Sequence, residues 1–379
     1  MMKLIRTSPV SCTLIVALVV GFAGAPSQAL TLNDLASSVD ITLNVPGDTG
    51  TPSGITGIQR NNPPVAGTPV DQINDAEREQ WFLSVGGGAA RPIDDFDAGS
   101  TVGTLEAPGS LGAVTNHVDV QYAGSNTEVD LHTALTGTPY GGYQSTVDQT
   151  ITITNNTGGA VTYRLYKYID LNLTHIISPP ERDPADLTET ILFTQNNQVR
   201  VQDVYTGPNS HPGTGTIISE ANALITVIGD ANKDAIVGAD DLQAVLSTFT
   251  QIGAPGFVPG DLAGGGFHGN DGDGTVGADD LQAVLANFTF DGTPDFVQAS
   301  NDGDLLATVT AGNNLDDSTT ASSAVGDDIA AGFQWEFTLL DGESFTLRQN
   351  LDIIPEPTSF GIVGIGVGLM AVCRRRRMS

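Results

Sequence analysis

Along most of the chain, apolar and polar residues alternate with a period of two. Residues 150–154 alternate Thr with Ile and run into Asn155-Asn156-Thr157-Gly158-Gly159, and an apolar-rich run follows at 161–169. The pattern predicts two strands joined as a hairpin by a loop of several residues. Residues 118–122, 129–135, 198–205 and 223–228 read as further strands, and 334–339 and 344–349 flank Asp341-Gly342, a turn signal. The period changes in one region only. Leu242, Val245, Leu246 and Phe249 recur at helical spacing, as do Leu281, Val284, Leu285 and Phe288, which predicts two amphipathic helices free to bury their stripes on each other or on the strands. The fold class is therefore mainly β: a β-sandwich (30–228 and 291–354) interrupted by a small α unit at 229–290. Two β units flanking a hinge are the other arrangement. Insertion requires that the guest enter and leave at neighbouring points, which a helix pair provides.

The two ends read differently. Lys3 and Arg6 precede an uncharged apolar run at 14–22, and Ser27-Gln28-Ala29 places small residues where a signal peptidase reads, so 1–29 is expected to be a signal peptide cleaved after Ala29. At the other end, Pro355-Glu356-Pro357 is followed by an apolar stretch at 360–373 and then by Arg374, Arg375, Arg376 and Arg377. A helix over 359–373 rises only about 22 Å, short for a bilayer core, and the arginines would hold its end in the cytoplasm. In these residues, 355–379, the chain resembles the PEP-CTERM family of exported bacterial proteins. The resemblance implies a transient inner-membrane anchor, removal of the tail near Pro355-Glu356-Pro357 by an exosortase, and release to the cell surface or extracellular matrix. Glu79-Gln80-Trp81-Phe82 and the run from Tyr166 to Leu171 are also similar to segments of uncharacterised exported proteins of that family.

Composition fits export. The chain has two cysteines, Cys12 and Cys373, both in the terminal segments, so the body between them holds no thiol for a disulfide, a nucleophile or a zinc site. The formal net charge is −29, and residues 1–29 and 358–379 carry six of the 15 basic residues and none of the 44 acidic ones. Such a body repels nucleic acid and anionic lipid and attracts divalent cations.

The strongest internal signal is a repeat. VGADDLQAVL stands at 237–246 and again at 276–285, an offset of 39. Before the first copy, Asp230, Asn232 and Asp234 alternate, Ile236 follows, and Asp241 completes the run. Oxygen donors at positions 1, 3 and 5, a backbone carbonyl at 7 and a carboxylate at 12 suit a hard cation such as Ca²⁺. Acidic residues also favour a helix's first turn, which accounts for Asp240 and Asp241 but not for the alternation before them. Val237, at position 8, is expected to pair the loop with its twin.

Residues 229–290 look like the duplicated F-hand of type I dockerins, in which a calcium loop and one helix occur twice. Carried over residue by residue, the first loop binds through Asp230, Asn232, Asp234, the Ile236 carbonyl and Asp241. The second binds through Asp271, Asp273, the Thr275 carbonyl and Asp280. There are departures. Ala235 stands where the loop usually turns on Gly, Gly238 and Gly277 replace a polar ligand, Gly269 takes position 1 of the second loop, and Asp261 could reach it only past a long insertion. Ala239-Asp240 and Ala278-Asp279 lack the Ser/Thr pair that dockerins often offer a cohesin, so a cohesin-like partner is a minor expectation.

Other constellations are weak. His117, His132, His175, His211 and His268 show no zinc-site spacing, Asp94, Asp95 and Asp97 read as an acidic loop before a carboxylate pair for glycoside hydrolysis, and no nucleophile triad or phosphate loop stands in context. Trp81, Tyr163, Tyr166 and Tyr168 are candidates for stacking on sugar rings. The expected function is a calcium-stabilised surface or matrix protein and not an enzyme. A polysaccharide-binding adhesin, for example for exopolysaccharide, is the alternative, and a secreted glycoside hydrolase the more distant one.

Overall fold

The computed structural model describes residues 28–34, 37–43, 54–61, 69–73, 79–96, 101–104, 117–123, 126–137, 145–171, 187–195, 197–205, 217–252, 275–323 and 328–354. The first seven strands are β1 (Gln28–Asp34), β2 (Ser37–Leu43), β3 (Gly54–Asn61), β4 (Pro69–Ile73), β5 (Glu79–Val85), β6 (Arg91–Pro92) and β7 (Thr101–Thr104). Next come β8 (His117–Ala123), β9 (Thr127–Gly137), β10 (Ser145–Asn155), β11 (Val161–Ile169), β12 (Leu187–Gln195), β13 (Gln198–Tyr205) and β14 (Ile217–Thr226). Helices α1 (Ala239–Thr248) and α2 (Ala278–Ala286) follow, then β15 (Phe296–Asn301), α3 (Asp302–Thr310), β16 (Thr320–Ser322), β17 (Ile329–Leu339) and β18 (Ser344–Ile354). The expected signal peptide lies outside the described residues except for Gln28 and Ala29, which begin β1. The expected sorting tail lies outside them entirely. Among the described residues no helix is long and apolar enough to cross a membrane.

The protein is mainly β. Its described strands form two antiparallel sheets, one running β1-β2-β3-β5-β11-β17-β15 with β4 on β3 and β6 on β5, the other β16-β12-β13-β14-β18-β10-β9-β8-β7. β18 follows the helices yet lies between β10 and β14, which precede them, and β17 likewise bonds to β11. Alternation explains how the sheets meet. Val147, Ile151 and Ile153 of β10 and Leu347 and Leu351 of β18 point inward, and Trp81, Leu83, Tyr163, Leu165, Phe333 and Trp335 face them from the other sheet. Sheet one is apolar on its outer face too: Phe82, Tyr166 and Tyr168 lie there under Leu305 and Val309 of α3. The strand pattern hides that helix, although Asn301 caps it by accepting from the Gly303 N–H at 3.2 Å.

One level of the core is polar. Gln149 stands in register with Thr133 on one side and Gln349 on the other, and Lys167 in the facing sheet is in register with Trp81. Lys167 Nζ lies 2.8 Å from Glu79 Oε1 and donates to Gln149 Oε1 at 2.7 Å, with both Lys167 and Glu79 almost wholly buried. Gln349 Nε2 also donates to Glu79 Oε1, at 2.5 Å.

The expected hairpin of 150–154 with 161–169 does not form. β10 and β11 lie in different sheets, and so do β17 and β18 on either side of Asp341-Gly342. Each connection is an arch that carries the chain from one sheet to the other, and the two arches bond together. Buried Asn155 donates its Nδ2 to the carbonyls of Gly159 (2.7 Å) and Leu339 (2.9 Å) and accepts the Thr157 N–H on Oδ1 (3.0 Å). The Gly342 N–H bonds to the Asn155 carbonyl at 2.7 Å, and the Gly158 N–H to Asp341 Oδ1 at 2.8 Å. A turn sequence reports that the chain reverses; it does not report whether the two arms bond edge to edge or face each other across a core. Replacing Asn155 by Ala is expected to lower the unfolding free energy by about 2 kcal/mol, since it strips partners from buried backbone groups. Urea denaturation measures this, and a loss below about 0.5 kcal/mol, the size of an ordinary surface change, would show that the arches hold without it.

Candidate metal centre

The loop that leads into α1 is organised by its own carboxylates. Asp230, almost fully buried, accepts the Lys233 and Asp234 N–H groups on Oδ1 (2.6 and 3.2 Å) and the Ala235 N–H on Oδ2 (2.8 Å). Asp241, fully buried at the start of α1, accepts the Ala231 and Asn232 N–H groups on Oδ1 (2.7 and 3.1 Å) and the Gly238 N–H on Oδ2 (2.7 Å). Asn232 Oδ1 takes the Asp234 N–H (3.0 Å), and Asp234 Oδ1 takes the Ile236 N–H (2.9 Å). Asp230, Asn232, Asp234 and Asp241 therefore share one small loop. The backbone bends sharply there: Lys233 and Ala235 have φ of 65° and 69°, so Ala235 does adopt the left-handed turn that normally favours Gly.

The electrostatics favour a cation. Burial pushes the Asp230 carboxyl up to about 6, against the pull of its hydrogen bonds from Ala235, Lys233 and Asp234, and the nearby Asp241 charge raises it further. Two buried carboxylates held within one loop repel each other unless a positive charge sits between them. The donor set is all oxygen, with carboxylates and an amide on a tight turn, which fits Ca²⁺ better than a softer metal. Asp240, which the ligand spacing passes over, joins the same cluster: Asn232 Nδ2 donates to its Oδ2 at 2.6 Å and to Asp234 Oδ2 at 3.0 Å. Only the folded helix start reveals this.

The second loop is partly in view. Asp280 is fully buried and accepts the Gly277 N–H on Oδ2 at 2.7 Å, as Asp241 does with Gly238, and half-buried Thr275 precedes it. Asp271 and Asp273 lie outside the described residues, as do Asp261 and Gly269.

Val237 does not pair with its twin. Its N–H bonds to the Phe290 carbonyl (2.9 Å) and its carbonyl takes the Thr289 N–H (2.8 Å), while Val276 bonds to Thr250 (2.8 Å) and Gln251 (3.1 Å). Each loop is thus stitched to the segment leaving the other unit's helix, and the offset of 39 carries one set of contacts onto the other. Position 8 needs an extended partner. The chain just after each helix, turning at Thr250 (φ 73°) and Thr289 (φ 74°), supplies it. The helical stripes are only half used. Val245 and Val284 are buried in the core shared with the sheets and Leu242 and Leu281 pack against it, but Leu246 and Leu285 remain 52% and 57% exposed and Phe249 and Phe288 are exposed too. The unit is seated on the sheets through Gly292, whose carbonyl accepts the Trp335 Nε1–H at 2.7 Å, and through Phe290, 5.5 Å from the Phe345 ring. A methyl on Gly292 would overlap Val227.

The remaining sequence candidates disperse. Trp81, Tyr163, Tyr166 and Tyr168 are no more than 2% exposed, so they cannot stack on a sugar; both faces of their strands are covered, one by the second sheet and one by α3. His132 lies half-buried on β9, His117 is on β8, and His175, His211 and His268 lie outside the described residues. Asp94 and Asp95 sit in a short 3-10 helix at Ile93–Phe96, where burial raises the Asp95 carboxyl against the pull of Arg91, and Asp97 lies outside the described residues. Pro355, Glu356, Pro357 and Arg374 to Arg377 lie outside them as well. One grouping has no local sequence signal: Asp170, Asp302 and Asp328 each bring a carboxylate oxygen within 4.8 Å of the others, from three separate parts of the chain.

Comparison with protein families and with well-characterised proteins yields no match for this chain. Among solved structures, a candidate aldose 1-epimerase of Escherichia coli K12 is similar over 87% of this chain and 100% of its own, at 12% identity and a TM-score of 0.30. That neighbour is described as an enzyme, and the expectation that this chain is not one is accordingly withdrawn. At that TM-score and identity the likeness assigns neither an activity nor a fold.

Gly229 tests how the first loop is seated. Its φ is +95°, and a methyl there would lie 2.8 Å from the Ala283 carbonyl oxygen of α2. Gly229→Ala is expected to cost about 2 kcal/mol. Gly238→Ala, whose methyl meets only the tip of the Asp240 side chain, should cost clearly less in the same thermal unfolding series. Equal losses would mean that the loop does not rest on α2.

Proposed function

We propose that the chain is an exported cell-surface or extracellular-matrix protein whose β-sandwich is braced by Ca²⁺ in an inserted, dockerin-like loop-helix pair. The observation that carries this reading is the loop at 230–241, where Asp230 and Asp241 are buried together beside Asn232 and Asp234. In this reading Asp230, Asn232, Asp234, the Ile236 carbonyl and Asp241 hold one ion. Asp271, Asp273, the Thr275 carbonyl and Asp280 hold another. The ion's chemistry is to neutralise carboxylates that otherwise repel. The chain's own residues do the rest, since Asp241 ties the loop to α1 and Val237 ties it to the segment leading into β15. Export and sorting, by signal peptidase and exosortase, rest on the leader-like first 29 residues and on the Pro355-Glu356-Pro357 tail. The acidic, cysteine-free body agrees with them.

The test is thermal and urea unfolding of the secreted chain in calcium and in chelator. If calcium stands about a hundredfold above its Kd, it is expected to add roughly 2.7 kcal/mol. Asp234→Ala, on the exposed side of the loop, should remove most of that increment while leaving the chelated protein nearly unchanged, whereas Asp241→Ala should destabilise the protein in both conditions. Identical unfolding curves with and without calcium would sink the reading.

A further inference from the structure

The polar level of the core holds a reactive arrangement as well as a structural one. Lys167 and Gln149 face each other from opposite sheets, with Nζ 2.7 Å from Oε1. The Gln149 carbonyl oxygen takes a second hydrogen bond from Trp81 Nε1–H at 3.0 Å, so two donors draw electron density away from its Cδ. Gln149 Nε2 lies 3.4 Å from Thr133 Oγ1, which places the amide nitrogen on the side away from Lys167. Glu79 Oε1 is 2.8 Å from Nζ and receives Gln349 Nε2 as well, while Glu79 Oε2 is buried with no hydrogen-bond partner among the described residues. The Lys167 ammonium also lies 4.5 Å from the centroid of the Trp81 ring. Burial brings the Lys167 amine down to about 8 despite the opposing pull of Glu79, so its neutral, nucleophilic form is within reach near neutral pH. Water is kept out, and the two side chains are held in contact from opposite sheets, conditions that favour an intramolecular reaction between them.

We propose that Lys167 and Gln149 join in an intramolecular isopeptide bond across the two sheets, with Glu79 relaying protons. The Lys167 ammonium gives one proton to Glu79 Oε1, and the freed Nζ lone pair attacks Cδ of Gln149. Trp81 Nε1–H steadies the charge that develops on Oε1. As the Cδ–Nε2 bond breaks, Nε2 takes up a second Nζ proton and the one held by Glu79, and it leaves as ammonium. Glu79 returns to its carboxylate and nothing is oxidised or reduced. Gln149 is the acceptor rather than Glu79 because Trp81 Nε1–H stays on its carbonyl oxygen during the attack, while Glu79 carries the proton that the leaving nitrogen needs. The product closes a covalent loop through the β10–β11 arch. In a body without cysteines that is a cross-link which reductants cannot open, and it restricts the unfolded chain as a disulfide does. The bond does not depend on calcium, so its test is separate from that of the bound ion.

The experiment is a tryptic digest of the denatured full chain as purified, read by mass spectrometry. Trypsin is expected to leave the bond after Lys167 uncut. The fragment ending at Arg164 should stay joined to the one beginning at Leu165, at a combined mass lower by one ammonia. Cleavage after Lys167, with both fragments at their sequence masses, would overturn the proposal, and so would loss of one water with Lys167 attached to Glu79. In Glu79→Gln the cut after Lys167 should reappear. If that variant still forms the Lys167–Gln149 bond, Glu79 is not the relay. The wild-type digest decides the bond itself whether or not the variant folds.

Discussion

A lysine sealed between two sheets constrains everything around it. Removing the charges of Lys167 and Glu79 from water costs several kcal/mol per ion, and close contact between the two, with hydrogen bonds from the neighbouring polar side chains, works against that cost. The partners come from strands far apart in the chain: Glu79 and Trp81 from β5, Thr133 from β9, Gln149 from β10 and Gln349 from β18. Because side chains alternate across a strand, a slip of one residue in any of these would turn its polar group outward and strand the lysine. The polar level thus locks the register of both sheets at one height, including the strand that arrives after the two helices.

The same interior holds the loop-helix unit. Val237, Val245, Val276 and Val284 belong to the core that fills the space between the sheets, and Trp335, whose ring lies 6.0 Å from Trp81, reaches the unit through its bond to Gly292. The loop carboxylates are therefore set on the same packed interior as Lys167. A change in charge at Asp230 or Asp241 acts on a rigid foundation and not on a free appendage, which is why binding there would register as stability of the whole protein.

Much of the local chemistry was legible from spacing. Asp230, Asn232, Asp234 and Asp241 fall within one turn of chain and the start of one helix, so the distance between them along the chain already bounds their distance in space. The duplicated decapeptide shows this directly: Asp241 and Asp280 bond to Gly238 and Gly277 at the same 2.7 Å, because a helix start is built from bonds three residues apart. The strands were legible for the same reason, since alternation is a property of neighbours. What spacing obscured were partners. Asn155 looked like the start of a hairpin turn and instead ties two arches; Trp81 and Tyr166 looked like candidates for sugar stacking and instead fill two covered faces; α3 hid behind a strand because its buried face is only Leu305 and Val309.

The sequence by itself determined a mainly β chain, two helices of one repeated sequence, and an acidic loop with oxygen donors at cation-binding intervals, each decided by contacts within about a dozen residues. Tertiary structure alone decided that β10 and β11 face each other instead of pairing, that Val237 bonds to Phe290 and not to its twin, and that Lys167 lies against Gln149 and Glu79. Those choices are settled by burial and by hydrogen bonds between residues remote in the chain, and no local period records which distant strand will supply the partner.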